Sequence, residues 1–528
     1  MSFTSLSLIV GAVSLCFLRW FWRNKKSRAP LPPGPPSKPI IGNLWDLPSP
    51  GTQGWLHWYK HKDIYGPISS VTIFGQTMII LNEARLAYEL LEKRSAIHSS
   101  RTPFIFSRMA GWGDFMTMLE YSDRLRASRK IAHQQLGSNN AVSRFNHIQN
   151  VEVSRFLLRM LRDPAHWTEH IRKESGAVVL KITYGYTVEQ HARDPLVDLI
   201  ESCIVKASET VVPGRWLVDF IPILRYIPAW LPGGGETRAA QKLQKDARDF
   251  SDIPYTFTKQ QMIQGTNEAS IVSHYLQEND IKPGSKEEHL LKWAAATLYA
   301  GAGETTLATM KSVFIAMAMY PHVQRKAQEE IDRVIGTSRL PGHKDRGNLP
   351  YIDALVKEAL RWHTIVPMGI THMAIEDDIC EGYHIPKGAA ILPNIWAFTH
   401  DPKEYHDPMV FKPERFLSDN DHTPERDPRL FSFGFGRRIC PGRNLADSNL
   451  YLSIAQTLAA YNIRKPIRDG KEVDIQLIAQ AGVISHPEPF DLNIKPRSAG
   501  HEELIRALEK QYPWEKGHGE ELRRATGI

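Results

Sequence analysis

Hydrophobic and polar residues follow two different periods along this chain. Residues 68–73 and 77–81 alternate on either side of a Gly-Gln pair, which predicts a β-hairpin. Over residues 84–319 apolar positions recur mostly at helical spacing, and breakers within residues 382–398 predict short strands and turns. The body of the chain contains no internal repeat and no long linker. The pattern therefore predicts one large, mainly α-helical domain with a minor β-sheet region.

The N-terminal region combines an apolar run with a basic flank. Residues 3–18 carry no charge, and tryptophans and basic residues follow them as far as Arg28. An apolar run of about 20 residues can cross a bilayer, and basic residues after it keep the rest of the chain on the cytoplasmic side. Residues 1–28 are thus predicted to form a transmembrane anchor and its basic flank. The alternatives are a cleaved secretory signal, whose charge normally precedes the apolar run, and a core helix.

Two later segments are bounded or filled by helix breakers. Residues 29–40 are rich in proline and are predicted to form a hinge, either a rigid spacer or a flexible tether. Residues 215–231 are mostly apolar and lie between two Pro-Gly breakers. This second segment fits either buried core or a surface lid that enters the bilayer beside the anchor.

The composition excludes several classes of protein. Of the 528 residues, 42% are hydrophobic and 23% are charged, as in a globular protein and unlike a collagen-like or disordered chain. The 4 cysteines are far apart and never form C-x-x-C, which argues against a disulfide scaffold and a thiolate zinc site. The net charge of +7 is modest for this length, and no nucleic-acid partner is expected.

One cysteine lies in the most informative motif of the chain. The motif reads Phe433-x-x-Gly436-x-Arg438-x-Cys440-x-Gly442. Its glycines would let the backbone approach a flat ligand, and its arginine offers a donor fork to a carboxylate. Cys440 precedes a proline that suits the first turn of a helix, where the dipole and the backbone N–H groups stabilise a thiolate. The alternative is an inert buried cysteine.

This motif resembles the cysteine loop of the cytochrome P-450 superfamily of haem-thiolate monooxygenases. The resemblance implies the cytochrome P-450 fold with haem b as cofactor. By that resemblance Cys440 is the axial thiolate ligand of the haem iron and Arg438 meets a haem propionate. Phe433, Gly436 and Gly442 would complete the cofactor-binding loop. Thiolate ligation of this kind favours O–O cleavage.

A second family motif is an acid and a base three residues apart. Glu358 and Arg361 have this spacing, which places both side chains on one helical face. Such a pair is usually a solvated surface contact. By the resemblance it joins Arg415 in a structural ion network behind the haem, with a role in folding and haem retention.

A third family motif lies in a long apolar helix predicted over residues 288–319. By the resemblance, Glu304 and Thr305 deliver protons during oxygen activation. A local break near Gly303 would make room for oxygen; the alternative is a threonine hydroxyl bonded back to its own helix. Ala302 departs from the family, which usually has glycine at this position.

Two further residues are candidate contacts of the haem propionates. Arg129 matches the arginine of the family pattern W-x-x-x-R, in which Leu125 replaces the tryptophan and removes an indole N–H donor. His372 is a plausible additional donor to a propionate. Otherwise it is a polar core residue.

The resemblance divides the chain into four parts. Residues 1–28 are the anchor, residues 29–40 the hinge, and residues 41–495 the haem-thiolate monooxygenase domain. Residues 496–528 form a charged C-terminal extension, predicted to be helical and exposed to solvent. The expected location is the endoplasmic reticulum membrane, with a single span and the catalytic domain on the cytosolic side.

The expected reaction inserts one atom of O2 into a lipophilic small molecule, in fungal secondary-metabolite biosynthesis. The chain has no dinucleotide-binding or flavin motif, so its electrons would come from another protein. The resemblance implies that a cytochrome P-450 reductase supplies them from NADPH, with cytochrome b5 as a further candidate donor. Exposed basic residues near Cys440 would receive the reductase: Arg126, Lys130, Arg437 and Arg443. The alternatives are a haem-thiolate isomerase or dehydratase that uses neither O2 nor a reductase, and a non-enzymatic haem- or lipid-binding protein.

Overall fold

The computed structural model describes residues 29–49, 51–212, 215–418 and 423–527. Helices dominate these residues, as the sequence predicts. In chain order the helices are α1 (Gly54–Tyr65), α2 (Ala84–Ala87), α3 (Ser95–His98), α4 (Ile105–Met109), α5 (Asp123–Leu136), α6 (Asn139–Ser143), α7 (Asn146–Arg162), α8 (Trp167–Tyr184), α9 (Pro195–Glu209), α10 (Gly235–Gln264), α11 (Ile271–Glu278), α12 (Lys286–Met319), α13 (Pro321–Val334), α14 (Pro350–Trp362), α15 (Ile395–Thr399), α16 (Arg429–Ser432), α17 (Arg443–Ala460), α18 (Ala499–Gln511) and α19 (Gly519–Thr526).

The strands are short and form small sheets. They are β1 (Ile68–Ile73), β2 (Gln76–Leu81), β3 (His372–Met373), β4 (Asp378–Cys380), β5 (Tyr383–Ile385), β6 (Ala390–Pro393), β7 (Tyr461–Arg464), β8 (Ile467–Arg468), β9 (Lys471–Glu472) and β10 (Asn493–Pro496). The largest sheet has the order β1-β2-β6-β3, with β2 and β6 parallel. Three two-stranded sheets pair β4 with β5, β7 with β10 and β8 with β9.

The predicted hairpin is confirmed. Strands β1 and β2 pair antiparallel from Ile68 opposite Leu81 to Ile73 opposite Gln76. The two-residue turn between them has φ of 47° at Phe74 and 84° at Gly75. Both values lie in the left-handed region that a tight hairpin turn requires.

Helix α12 runs through the centre of the molecule and links its two main hydrophobic clusters. Its N-terminal half, from Leu291 to Ala300, packs in a cluster with residues of α5, α8 and α10. Its C-terminal half, from Leu307 to Ala318, packs with residues of α7, α14 and α17. The long apolar helix predicted from the sequence is confirmed, and its burial on most sides explains why its sequence lacks a clear polar face.

The C-terminal extension is helical, as predicted, but the expectation of a solvent-exposed tail is wrong. Ile505 and Leu508 of α18 are buried in the cluster that includes α7, and Leu522 of α19 is buried in the cluster that includes α10. Arg155 also donates a hydrogen bond to the Pro513 carbonyl and pairs with Glu515. The charges of this segment mark only its outer face, and its apolar residues pack on the helical body.

Residues 215–231 form a surface segment, so the interpretation as buried core is wrong for most of them. Leu217, Ile223, Tyr226 and Trp230 are exposed, although Val218 is fully buried. Within the described residues no helix is both long and apolar enough to span a bilayer. The predicted anchor, residues 1–28, lies outside the described residues.

Candidate active site

The cysteine loop is held by backbone contacts on both sides of Cys440. The backbone N–H of Cys440 donates to the Phe433 carbonyl at 2.7 Å, and this phenylalanine packs against the cluster that contains α17. Helix α17 begins at Arg443, after its N-cap Gly442, so Cys440 lies before the helix and not in its first turn. Cys440 as a residue is partly exposed. The loop thus presents the thiol just ahead of a helix N-terminus.

Gly436 packs closely against the chain's own backbone. Its φ is +50°, and an added Cβ would lie 2.3 Å from the Leu91 carbonyl oxygen. The fold therefore requires glycine at this position. At Gly442, by contrast, an added Cβ would meet no heavy atom within 4 Å.

The environment of the Cys440 sulfur has opposing effects on its ionisation. Burial raises the pKa of the Cys440 thiol, whereas the backbone N–H of Gly442 and the cations of Arg129 and Arg443 act to lower it. A metal cation bound to the sulfur would add the largest positive charge in the site and would hold the sulfur as the thiolate.

Three arginines converge beside the cysteine loop. Arg438 is buried and donates to the carbonyls of Ser99, Met116 and Leu119, and Arg129 donates to the carbonyl of Ile439 at 2.7 Å. Burial and the neighbouring Arg129 lower the pKa of Arg438 to about 10. In the described part of the chain neither guanidinium pairs with a carboxylate, which is unusual for a buried cation such as Arg438.

The third cation is Arg101, which sequence reasoning missed. Its guanidinium is buried and donates to the carbonyls of Thr117, Ile370 and Thr371. Burial, together with the charges of Arg438 and Arg129, lowers its pKa well below the usual value. The sequence around it, Ser-Ser-Arg-Thr, carries no recognisable signal, because its burial depends on contacts with distant segments.

The surroundings of these cations fit a ligand that carries carboxylates. The segment that contains Arg101 also holds buried polar atoms without a hydrogen-bond partner among the described residues: His98 Nδ1, Ser99 Oγ and Thr102 Oγ1. The three arginines have no acidic partner among the described residues, and they lie beside a partly exposed cysteine. Their positive charge and N–H donors suit the two propionates of an iron porphyrin, and the cysteine suits its iron.

His372 lies in β3, close to the same cations. Its Nδ1 is 2.8 Å from the His98 carbonyl oxygen, and the side chain is buried. Burial and the charge of Arg101 lower its pKa well below the usual value, so the ring is neutral at physiological pH. Leu125, the residue in place of the family tryptophan, is buried in the apolar cluster around α5.

The acid–base motif forms the predicted ion network. Glu358 and Arg361 are fully buried on α14 and make two hydrogen bonds, of 2.7 and 2.8 Å. Arg415 lies 3.1 Å from the same carboxylate and 2.6 Å from Glu425. The interpretation as a solvated surface pair is therefore wrong, and the network ties α14 to the segment that precedes the cysteine loop.

The middle of α12 borders open space. Gly301 is exposed and Thr305 is partly exposed, although Ala300 and Thr306 on either side are buried. An added Cβ at Gly301 would meet nothing within 4 Å. The helix is continuous through Gly303, so the predicted local break is absent, and the Thr305 hydroxyl donates to the Gly301 carbonyl at 2.7 Å.

Glu304 points to a different part of the molecule from the cysteine loop. Its carboxyl group contributes to a small cavity that Arg172 and Glu201 also line, between α12, α8 and α9. Burial raises the pKa of Glu304. Glu304 and Thr305 are adjacent on α12. Glu304 borders this cavity, whereas Thr305 is partly exposed near Gly301.

Comparison with known proteins decides the family. The cytochrome P-450 family model matches residues 32–494. The chain belongs to the cytochrome P-450 family. It is 49% identical to cytochrome P-450 monooxygenase ppsD of Aspergillus oryzae over 519 residues, 98% of each chain. It is 43% identical to O-methylsterigmatocystin oxidoreductase of Aspergillus flavus over 521 residues, again 98% of each chain. Cytochrome P-450 monooxygenase claR of Ampulloclitocybe clavipes is 43% identical over 507 residues, 96% of this chain and 93% of the relative.

Membership establishes the type of enzyme. The protein is a cytochrome P-450 monooxygenase that uses haem b and O2 and receives electrons derived from NADPH through a reductase. Cytochrome P-450 enzymes of this kind act on lipophilic substrates.

Proposed function

We propose that Cys440 is the axial ligand of the haem iron and that the three arginines bind its propionates. The observation that carries this proposal is the convergence of Arg101, Arg129 and Arg438 on the cysteine loop without an acidic partner among the described residues. The neutral ring of His372 adds a polar contact at the same place. Phe433, Gly436 and Gly442 shape the loop, and the network of Glu358, Arg361 and Arg415 supports it from behind.

When bound, the haem supplies the activation of O2 and the insertion of one oxygen atom into the substrate. The protein's own residues supply the protons that this reaction consumes. Thr305 lies where α12 borders open space, and its hydroxyl can donate a proton once its hydrogen bond to the Gly301 carbonyl is exchanged. Burial raises the pKa of Glu304, which makes its carboxyl group a better proton acceptor than an exposed glutamate.

The substrate is a small lipophilic molecule of fungal secondary metabolism. One relative that shares 43% of the sequence is named for the oxidation of O-methylsterigmatocystin, and another is named a multifunctional monooxygenase. Ala300 and Ala302, which flank the exposed Gly301, are apolar, and this suits a ligand held mainly by hydrophobic contact.

The enzyme works at the cytosolic face of the endoplasmic reticulum membrane. We assign residues 1–28 to a single-span anchor, residues 29–40 to the hinge and residues 41–495 to the catalytic domain. The exposed apolar residues of the 215–231 segment would lie against the same bilayer. Arg126, Lys130, Arg437 and Arg443 are all exposed, which suits an acidic reductase surface, with cytochrome b5 as a second donor.

Replacement of the cysteine tests the proposal. Cys440→Ala should abolish the thiolate-type absorption of the reduced carbon monoxide complex. The matched controls are Cys203→Ala and Cys380→Ala, because both cysteines are buried and outside the loop. Persistence of the thiolate-type spectrum in Cys440→Ala would overturn the assignment. Incorporation of label from 18O2 into the product separates a monooxygenase from an isomerase or dehydratase, since neither of those consumes O2.

A further inference from the structure

Glu304 has a neighbour that does not line its cavity. The Nε2 atom of His486 lies 3.4 Å from Oε2 of Glu304, and both side chains are mostly buried. His486 belongs to the segment between β9 and β10, more than 180 positions further along the chain. Buried polar atoms need polar partners, so a buried imidazole next to a buried carboxyl group can satisfy a polar atom of each group.

The backbone around His486 is fixed at several points. The backbone N–H of Ser485 donates to the Ile365 carbonyl at 2.7 Å, and the carbonyl of His486 accepts from the Gln480 N–H at 2.8 Å. The Pro487 carbonyl accepts from Lys311 Nζ, on α12 itself, at 3.0 Å. The segment is therefore tied to α12, and the position of the His486 ring relative to Glu304 is set by the fold.

The charges around the pair explain why a neutral partner matters. Burial and the cations of Lys311 and Arg172 lower the pKa of His486 to about 4, so its ring is neutral at physiological pH. Lys311 stands two helical turns from Glu304, but its ammonium group bonds to the Pro487 carbonyl. A lysine paired directly with Glu304 would hold the carboxylate ionised. A neutral imidazole can donate to the carboxylate or accept from the carboxylic acid, so it serves both protonation states.

The cavity that Glu304 borders has room for a water molecule. Its volume, about 20 Å³ for the centre of a water molecule, is enough to hold one. Arg172 lies in its wall, 3.5 Å from Glu201, and the Nε atom of Arg172 is buried without a hydrogen-bond partner in the described part of the chain. The neighbouring Gly303 adds no side chain, which keeps the space beside Glu304 open.

We propose that His486 is a positioning residue for Glu304: it holds the carboxyl group between the water-sized cavity and the Thr305 side of α12 in both protonation states. This inference rests on the proposed role of Glu304 in proton supply. The other charged groups that face the pair are Arg172 and Glu169 of α8, Glu201 of α9, Lys311 of α12 and Glu488 beside His486.

The test replaces His486 in the full-length, haem-loaded protein and reads out the carboxyl group directly. The protonated carboxyl band of Glu304, assigned by its loss in Glu304→Gln, is titrated by infrared spectroscopy of the resting enzyme. In His486→Phe the midpoint should move upward, because a phenyl ring removes the polar group 3.4 Å from Oε2, and the loss of polar surroundings penalises the charged carboxylate more than the neutral acid. In His486→Lys it should move downward, and His486→Gln, which keeps a donor and an acceptor, should restore the wild-type midpoint. His406→Phe, which changes an exposed ring, is the matched control.

The same variants are then assayed for peroxide formed per NADPH consumed across pH. His486→Phe should raise this ratio several-fold and shift its pH profile in the direction of the infrared midpoint, and His486→Gln should reverse both changes. A midpoint unchanged in His486→Phe, or a shifted midpoint with an unchanged pH profile, would overturn the inference. If Glu304→Gln itself leaves the peroxide ratio unchanged, the proposed role of Glu304 fails instead, whatever His486 does.

Discussion

The ion network behind the cysteine loop gives the sharpest prediction about stability. Glu358→Ala removes the only carboxylate that pairs with Arg361 among the described residues, and both side chains are fully buried. The same change takes an acceptor from the backbone N–H of Lys412 at 2.7 Å and removes a carboxylate that lies 3.1 Å from Arg415. Removal of one partner of a buried ion pair costs about 3–5 kcal/mol. Because several donors lose their acceptor here, we expect a loss in the upper half of that range.

The assay is urea unfolding followed by tryptophan fluorescence, with haem absorbance recorded in parallel. The matched control is Glu502→Ala, which breaks an exposed Glu502–Arg506 pair, and such a pair contributes about 0.5 kcal/mol or less. Glu358→Gln keeps the shape and one acceptor oxygen, so it should fall between the two. A loss of under about 1 kcal/mol in Glu358→Ala would refute the argument, because the network would then behave like a surface pair.

Four further measurements test other parts of the structure. Burial raises the pKa of Glu174 from 4.5 to about 7, so the folded state keeps a proton that the unfolded chain releases. Stability should therefore fall by about 3 kcal/mol as pH rises from about 4.5 to 7, and urea unfolding should show that Glu174→Gln removes this dependence. Leu522→Ala should cost about 2–5 kcal/mol in the same assay, because the side chain is fully buried; a loss near zero would mean that the C-terminal extension does not contribute to the fold. Thr305→Ala should raise peroxide formation per NADPH, and an unchanged ratio would remove its hydroxyl from proton supply. Deletion of residues 1–28 should release the protein from membranes in a flotation assay, unless the exposed 215–231 segment retains it.

The features that the sequence predicts well are those encoded by nearby residues. The hairpin follows from alternation over a few residues on each side of a two-residue turn, and α12 from a long apolar run. The three-residue spacing of Glu358 and Arg361 fixes their shared face before any tertiary contact forms. The cysteine motif likewise places Arg438 two residues from Cys440, whatever the rest of the fold does.

The features that the sequence did not reveal depend on contacts between distant segments. Arg101 belongs to the arginine cluster only because its partners come from residues near 117 and 370. His486 meets Glu304 only because Lys311 and Ile365 hold its segment in place. The apolar 215–231 segment could equally have been core, since hydrophobicity alone does not say whether a covering surface exists.

The arginine cluster links the stability of the folded protein to the proposed binding of the cofactor. Arg129 lowers the pKa of Arg438, and both lower the pKa of Arg101, which means that these like charges oppose the fold wherever an anion does not offset them. Backbone carbonyls supply most of their hydrogen bonds, but carbonyl dipoles carry no net charge. A ligand with two carboxylates would supply the missing charge, and whatever binds only the folded state stabilises it. On the proposed assignment, the residues that bind the haem propionates are thus the same residues whose like charges make the protein less stable without the ligand.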